Sequence, residues 1–82
     1  MLIPMELVLV TREGCGLCER AERALWSLAV PYVRREVDRE AELAPYAWRV
    51  PVLLLGEEVL LEGAFAEAEL LALMEGLLGG NA

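Results

Sequence analysis

The sequence predicts an α/β fold: a small four-stranded mixed sheet with helices on its faces, in the order β-α-β-α-β-β-α. Three observations carry the prediction. Short aliphatic runs at 6–10, 50–55 and 58–61 read as strands, apolar residues at three- and four-residue spacing follow the first and last of them, and a Gly-Glu pair separates the second from the third. Eighty-two residues, 57% of them hydrophobic, suffice for one compact domain, 1–82, with a limited core.

The run Glu6-Leu7-Val8-Leu9-Val10 is short and rich in β-branched and aliphatic residues, as a buried strand requires, and Thr11-Arg12-Glu13-Gly14 is the turn that ends it. Beyond the turn, Leu17, Ala21, Ala24, Leu25 and Leu28 form one stripe, and Glu19, Arg20, Glu22 and Arg23 fill the opposite face of an amphipathic helix. Pro31 breaks this pattern. Alternation of Tyr32, Arg34 and Glu36 against Val33, Arg35 and Val37 then predicts an edge strand. Asp38 is placed to cap a short helix from Arg39 to about Trp48, with Pro45 marking a second turn or a shifted boundary.

Val50-Pro51-Val52-Leu53-Leu54-Leu55 reads as a buried strand that begins through a proline, and Gly56-Glu57 supplies the Gly-x pair of a type II′ hairpin turn into Glu58-Val59-Leu60-Leu61. Gly63 punctuates the exit. Residues Ala64 to Leu78 carry Leu70, Leu73, Met74 and Leu77 on one helical stripe, and Gly79-Gly80-Asn81 forms a fraying end. A right-handed strand-helix-strand crossover makes the first two strands parallel, and the hairpin makes the last two antiparallel.

Two cysteines, Cys15 and Cys18, stand where the first strand gives way to its helix. Cys15 falls at the helix start, where unsatisfied N–H groups and aligned peptide dipoles favour a thiolate. Cys18 lies one turn further in, with Cβ atoms at that spacing about 5 to 6 Å apart, close enough for dithiol–disulfide interchange. As a structural staple the pair would be poor. Closing so short a loop gains only about 2 kcal/mol against about 3 for a 15-residue loop. Reactivity explains the spacing better than stability.

Cys15-Gly16-Leu17-Cys18 followed by Arg49-Val50-Pro51, within this element order, resembles the thioredoxin fold and specifically its short glutaredoxin-like branch. The resemblance covers nearly the whole chain. It implies a three-layer fold, a role in cell redox homeostasis, Cys15 as the residue that attacks disulfides and Cys18 as the one that resolves the mixed disulfide. It also implies a cis Pro51 against the cysteine pair, with Val50 backbone groups turned to the substrate, and a glutathione carboxylate at Arg12. The chain has Gly-Leu between its cysteines where better-studied glutaredoxins have Pro-Tyr, and of their Gly-Gly-x-x-Asp glutathione segment only Gly63 remains.

The function expected is thiol–disulfide oxidoreduction. Its partners would be a disulfide-containing protein or a low-molecular-weight thiol, with a reductase or a thiol such as glutathione as electron donor and no tightly bound cofactor. Two readings compete. Two thiolates at this spacing form half of a zinc or iron–sulfur site, but no His and no further Cys completes one within the chain, so no metal site is expected. An interaction domain with idle cysteines is the other, since buried cysteines are often inert. The absence of His excludes a Cys-His protease arrangement.

A net charge of −7 argues against nucleic acid as a partner. No apolar stretch reaches the ~20 residues that span a membrane, and Met1 to Met5 lack a basic leader region, so a cytoplasmic location is expected. The last helix has a second apolar stripe at Leu71 and Leu78; burial of both stripes by the sheet and N-terminus is expected to keep the chain monomeric. Trp26 is expected to be a packing or partly exposed surface aromatic, Trp48, just before Val50-Pro51 and near the predicted groove, to pack on the second helix or else to contact substrate, and Glu57 and Glu58 to be solvated.

Overall fold

The structure, a computed structural model, describes residues 6–79. Its elements are β1 (Leu7–Thr11), α1 (Gly16–Ser27), β2 (Val33–Glu36), two 3-10 segments (Val37–Arg39 and Ala41–Tyr46), β3 (Val52–Leu55), β4 (Glu58–Glu62) and α2 (Glu67–Gly79). The sheet order is β2-β1-β3-β4. β1 runs parallel to β2 and antiparallel to β3, which is antiparallel to β4.

Period-two alternation divides the core between the two faces of the sheet. Leu7 and Leu9 of β1 and Leu53 of β3 join Ala21, Ala24, Leu25, Phe65 and Leu70 on the face covered by α1 and α2. Val10, Val52 and Leu54 point the other way, onto Val37 and Leu43 of the 3-10 segments. Three layers result. Complete burial of Leu9, Leu25, Leu53 and Leu70 contributes about 1.5 to 3 kcal/mol for each side chain. In β4 the register slips between Leu53 and Leu54, so Leu53 faces Leu61 while Leu54 faces Val59. This bulge lets both Leu60 and Leu61 pack on the α-helical side.

The turn Gly56-Glu57 matches its expected type. Gly56 has φ +61° while Glu57 has no positive φ, and positive φ at the first central position alone is the mark of type II′. β2 is an edge strand, as expected, and charge protects it. Arg34 pairs with Glu22 and Glu36, and Arg35 with Glu40.

The helix expected from Arg39 to Trp48 is not an α-helix. Pro45 has no N–H to donate, and Asp38, expected as its N-cap, instead lies inside the first 3-10 segment with its carboxylate on Arg12. α2 likewise starts at Glu67, three residues after the expected Ala64, where Glu69 Oε1 accepts from Ala66 N–H at 3.0 Å and caps the first turn. Its expected core stripe holds at Leu70, Leu73 and Met74, but Leu77 is half exposed and so is Leu71 of the second stripe. The side chain of Leu78, the residues Gly80 and Asn81 of the expected fraying end, and the segment Met1 to Met5 lie outside the described residues.

α1 ends in a Schellman motif. Val30 N–H donates to Leu25 O at 2.9 Å and Ala29 N–H to Trp26 O at 3.0 Å, with Ala29 at φ +56° in the position that glycine usually fills. Among the described residues no helix is long and apolar enough to cross a membrane.

Candidate active site

The cysteine pair sits where β1 leaves the sheet. Gly14, at φ +78°, turns the chain, and Cys15 N–H closes that turn on Arg12 O at 3.2 Å. Cys15 is the N-cap of α1, in extended conformation, and its Sγ accepts from Cys18 N–H at 3.1 Å. The thiol thus occupies the place where a serine or aspartate oxygen would cap the helix. Both cysteines are free, Cys15 partly exposed and Cys18 buried.

This difference in burial separates the two thiols chemically. Burial, followed by the hydrogen bond with Cys15, pushes the Cys18 thiol up to about 12, against the opposing pull of the Arg12 backbone N–H. Cys18 therefore keeps its proton at neutral pH. Cys15 is the thiol that solvent reaches.

Arg12 lies at the rim of the pair, and Asp38 first, with smaller contributions from the two cysteines, favours its charged guanidinium. Its Nε and Nη2 donate to Asp38 Oδ2 and Oδ1 at 3.0 and 3.1 Å, a bidentate pair, and Nη1 donates to Ala47 O at 3.1 Å. That contact holds the Asp38 carboxyl below the usual carboxylate range. The Trp48 ring lies 5.9 Å from the same guanidinium. At 93% exposed, Trp48 does not pack on the second helical segment as expected. Trp26 is an exposed surface aromatic, and Glu57 and Glu58 are solvated as expected.

Pro51 is fully buried immediately before β3, and the Val50–Pro51 bond is cis. The pairing of Val10 with Val52 sets this segment at the sheet end from which β1 runs into the cysteine loop. Val50 packs partly buried beside Val10 and Val52. Gly63, at φ +74°, donates its N–H to Pro51 O at 2.9 Å and to Arg49 O at 3.2 Å, so it secures the segment from the β4 side. Arg12, Val50, Pro51 and Gly63 therefore all lie at the cysteine end of the sheet. Arg12 and Gly63 are engaged by the chain itself.

On the other side of the cysteine loop, Leu17, Arg20, Phe65 and Glu69 line a shallow groove of about 180 Å³. Leu17 stands between the cysteines in sequence and is half exposed. Two features of the site had no readable signal. Asp38 is 26 residues from Arg12, so no local spacing announces the pair, and Thr11 is a fully buried residue whose Oγ1 has no hydrogen-bond partner. Among the described residues no group of three His, Cys, Asp or Glu side chains is disposed to hold a metal ion.

A mixed sheet in the order β2-β1-β3-β4, with two helices on one face and a Cys-x-x-Cys pair at the start of α1, defines a protein of the thioredoxin-like fold. The family model of the Glutaredoxin-like domain (DUF836) matches residues 6–75, and the chain belongs to that family. It is similar to the X-ray structure of Northeast Structural Genomics target protein XcR50 from X. campestris. The two are 32% identical with a TM-score of 0.74, over 85% of this chain and 96% of that one. No curated protein matches the chain.

Proposed function

We propose that the chain is a thiol–disulfide oxidoreductase of the glutaredoxin type. The observation that carries this reading is the asymmetry of the pair. Cys15 is reachable and has the Cys18 N–H aimed at its sulfur, whereas Cys18 is buried one turn behind it and holds its proton.

Cys15 thiolate attacks a substrate disulfide, the substrate S–S bond breaks, and a mixed disulfide forms as the first substrate thiolate leaves. Cys15 then carries no charge, which removes one of the causes that keep the Cys18 proton in place. The departing thiolate can accept that proton. Cys18 attacks Cys15 Sγ, expels the second substrate thiolate and closes the Cys15–Cys18 disulfide. The substrate gains two electrons, which the pair loses. Return to the dithiol takes two electrons, from two equivalents of a thiol such as glutathione, which leave as their disulfide, or from a reductase, and no bound cofactor enters the cycle. A disulfide-containing protein or low-molecular-weight disulfide is the substrate class, and Val50 and Gly63, backed by the buried Pro51, together with the groove beside Leu17 are the surfaces that would receive it. A reducing, cytoplasmic setting suits such a dithiol.

The test is a single turnover of pre-reduced protein with one equivalent of a protein disulfide, followed by mass. The wild-type chain should lose two hydrogens as the substrate is reduced, Cys18→Ser should stop at the mixed disulfide on Cys15, and Cys15→Ser should do neither. Substrate reduction by Cys15→Ser at the wild-type rate would overturn the reading.

A further inference from the structure

An arginine at the rim of a nucleophilic thiolate is the group that would draw in a carboxylate-bearing disulfide. Here that arginine is already occupied. A guanidinium carries five N–H donors, and the planar fork best suited to a carboxylate is the Nε/Nη2 edge. Asp38 holds this edge through both of its oxygens, Ala47 O takes a hydrogen from Nη1, and the Trp48 ring lies against the group at 5.9 Å. The internal carboxylate is tethered by the fold, so an incoming anion competes with a partner whose effective concentration is that of an intramolecular contact. Arg12 and Asp38 are both solvent-accessible, with side chains 32% and 60% exposed. The pair is therefore at the surface that a substrate meets.

We propose that Asp38 is a specificity-determining residue: by neutralising Arg12 beside the cysteine pair, it directs the site toward disulfides with uncharged or basic flanks and away from anionic ones such as oxidised glutathione. This rests on the reading of Cys15 as the attacking sulfur. The surroundings work in the same direction, since Glu13 and Glu19 are exposed on either side of the pair and the chain carries a net charge of −7. Arg20, across Leu17 in the groove shared with Glu69, has no carboxylate within ion-pair distance among the described residues and remains a cation of the rim. Its contribution is common to every variant below and cancels between them.

The test measures one step, attack of Cys15 on a small disulfide in the Cys18→Ser background, where the product is the mixed disulfide plus one equivalent of released thiol. Two probes are compared, oxidised glutathione and the uncharged bis(2-hydroxyethyl) disulfide. Their rate ratio cancels any change in the thiolate population of Cys15. Asp38→Asn, nearly the same shape without the charge, should raise the ratio in favour of oxidised glutathione about fivefold at low salt, the scale of one unit charge several ångströms away in a largely solvated setting. That gain should vanish in Asp38→Asn/Arg12→Gln and fall toward unity at ~1 M salt, where the screening length is about 3 Å. A merely structural Asp38 would produce no effect that is selective for probe charge and sensitive to salt. An unchanged ratio in Asp38→Asn, or a gain that survives loss of Arg12 or high salt, overturns the role of Asp38 alone. A Cys15 that fails to react even with the uncharged probe overturns the oxidoreductase reading and this one with it.

Discussion

The asymmetry of the two thiols can be tested without any substrate, by alkylation of the reduced protein. Cys18 is pushed up to about 12 from an ordinary 9.0, and three units correspond to about a thousandfold fewer thiolates at neutral pH. A more basic thiolate is also a better nucleophile, by roughly 0.4 to 0.5 logarithmic unit for each pKa unit, which returns about twentyfold. The net expectation is that folded Cys18 reacts with iodoacetamide about fiftyfold more slowly than the same residue in the urea-unfolded chain, before steric shielding is added. Arg12 and Arg20 bracket both cysteines, so a tryptic digest gives one peptide, 13–20, in which fragment ions distinguish the two sites. Labelling of folded Cys18 within about fivefold of the unfolded rate would refute the burial argument, and with it the division of roles between the cysteines.

Three further outcomes follow from particular groups. Thr11 is fully buried with an unpaired Oγ1, so Thr11→Val should stabilise the fold by about 1 kcal/mol and raise Tm by about 4 to 8 °C in calorimetry; a lower Tm would mean that the hydroxyl is satisfied. Ala29 holds φ +56° at the C-terminus of α1, and Ala29→Gly should shift the urea midpoint upward by the equivalent of about 1 kcal/mol, opposite to the usual effect of glycine near a helix. Between pH 9 and 12 the unfolded chain releases the Cys18 proton while the folded chain keeps it, so reduced protein should lose stability as pH rises from about 9 toward 12. Tyr32, pushed up to about 12 by burial and Glu22, adds to the same slope above pH 10. Urea midpoints of Cys18→Ala should fall less steeply across that range than those of the reduced wild type, and equal slopes would contradict the assignment.

Much of this architecture is legible because its signals are local. Three- and four-residue spacing marks α1 and the inner stripe of α2, aliphatic runs mark β1, β3 and β4, and Gly56 marks the hairpin. The cysteine pair is legible for the same reason, since position at a helix start needs no knowledge of distant residues. The misread parts depend on long-range partners. Asp38 looks like a helix cap from its neighbours, and only the folded chain brings Arg12 to its carboxylate across 26 residues. Trp48 reads as packing on the second helix because it ends that segment, yet the segment is too short and too irregular to bury it. Ala29 carries no sequence mark of a left-handed turn, because its conformation is imposed by the helix it ends.

Cys15 and Cys18 must form a reversible disulfide if the pair does redox chemistry, and a redox titration against glutathione buffers, read by mass after acid quenching, measures this. The pair should show one reversible two-electron transition between dithiol and intramolecular disulfide, abolished in Cys15→Ser and replaced by a single mixed disulfide on Cys15 in Cys18→Ser. A pair that remains fully reduced across the whole range of buffers, or one that oxidises only between separate chains, would contradict it.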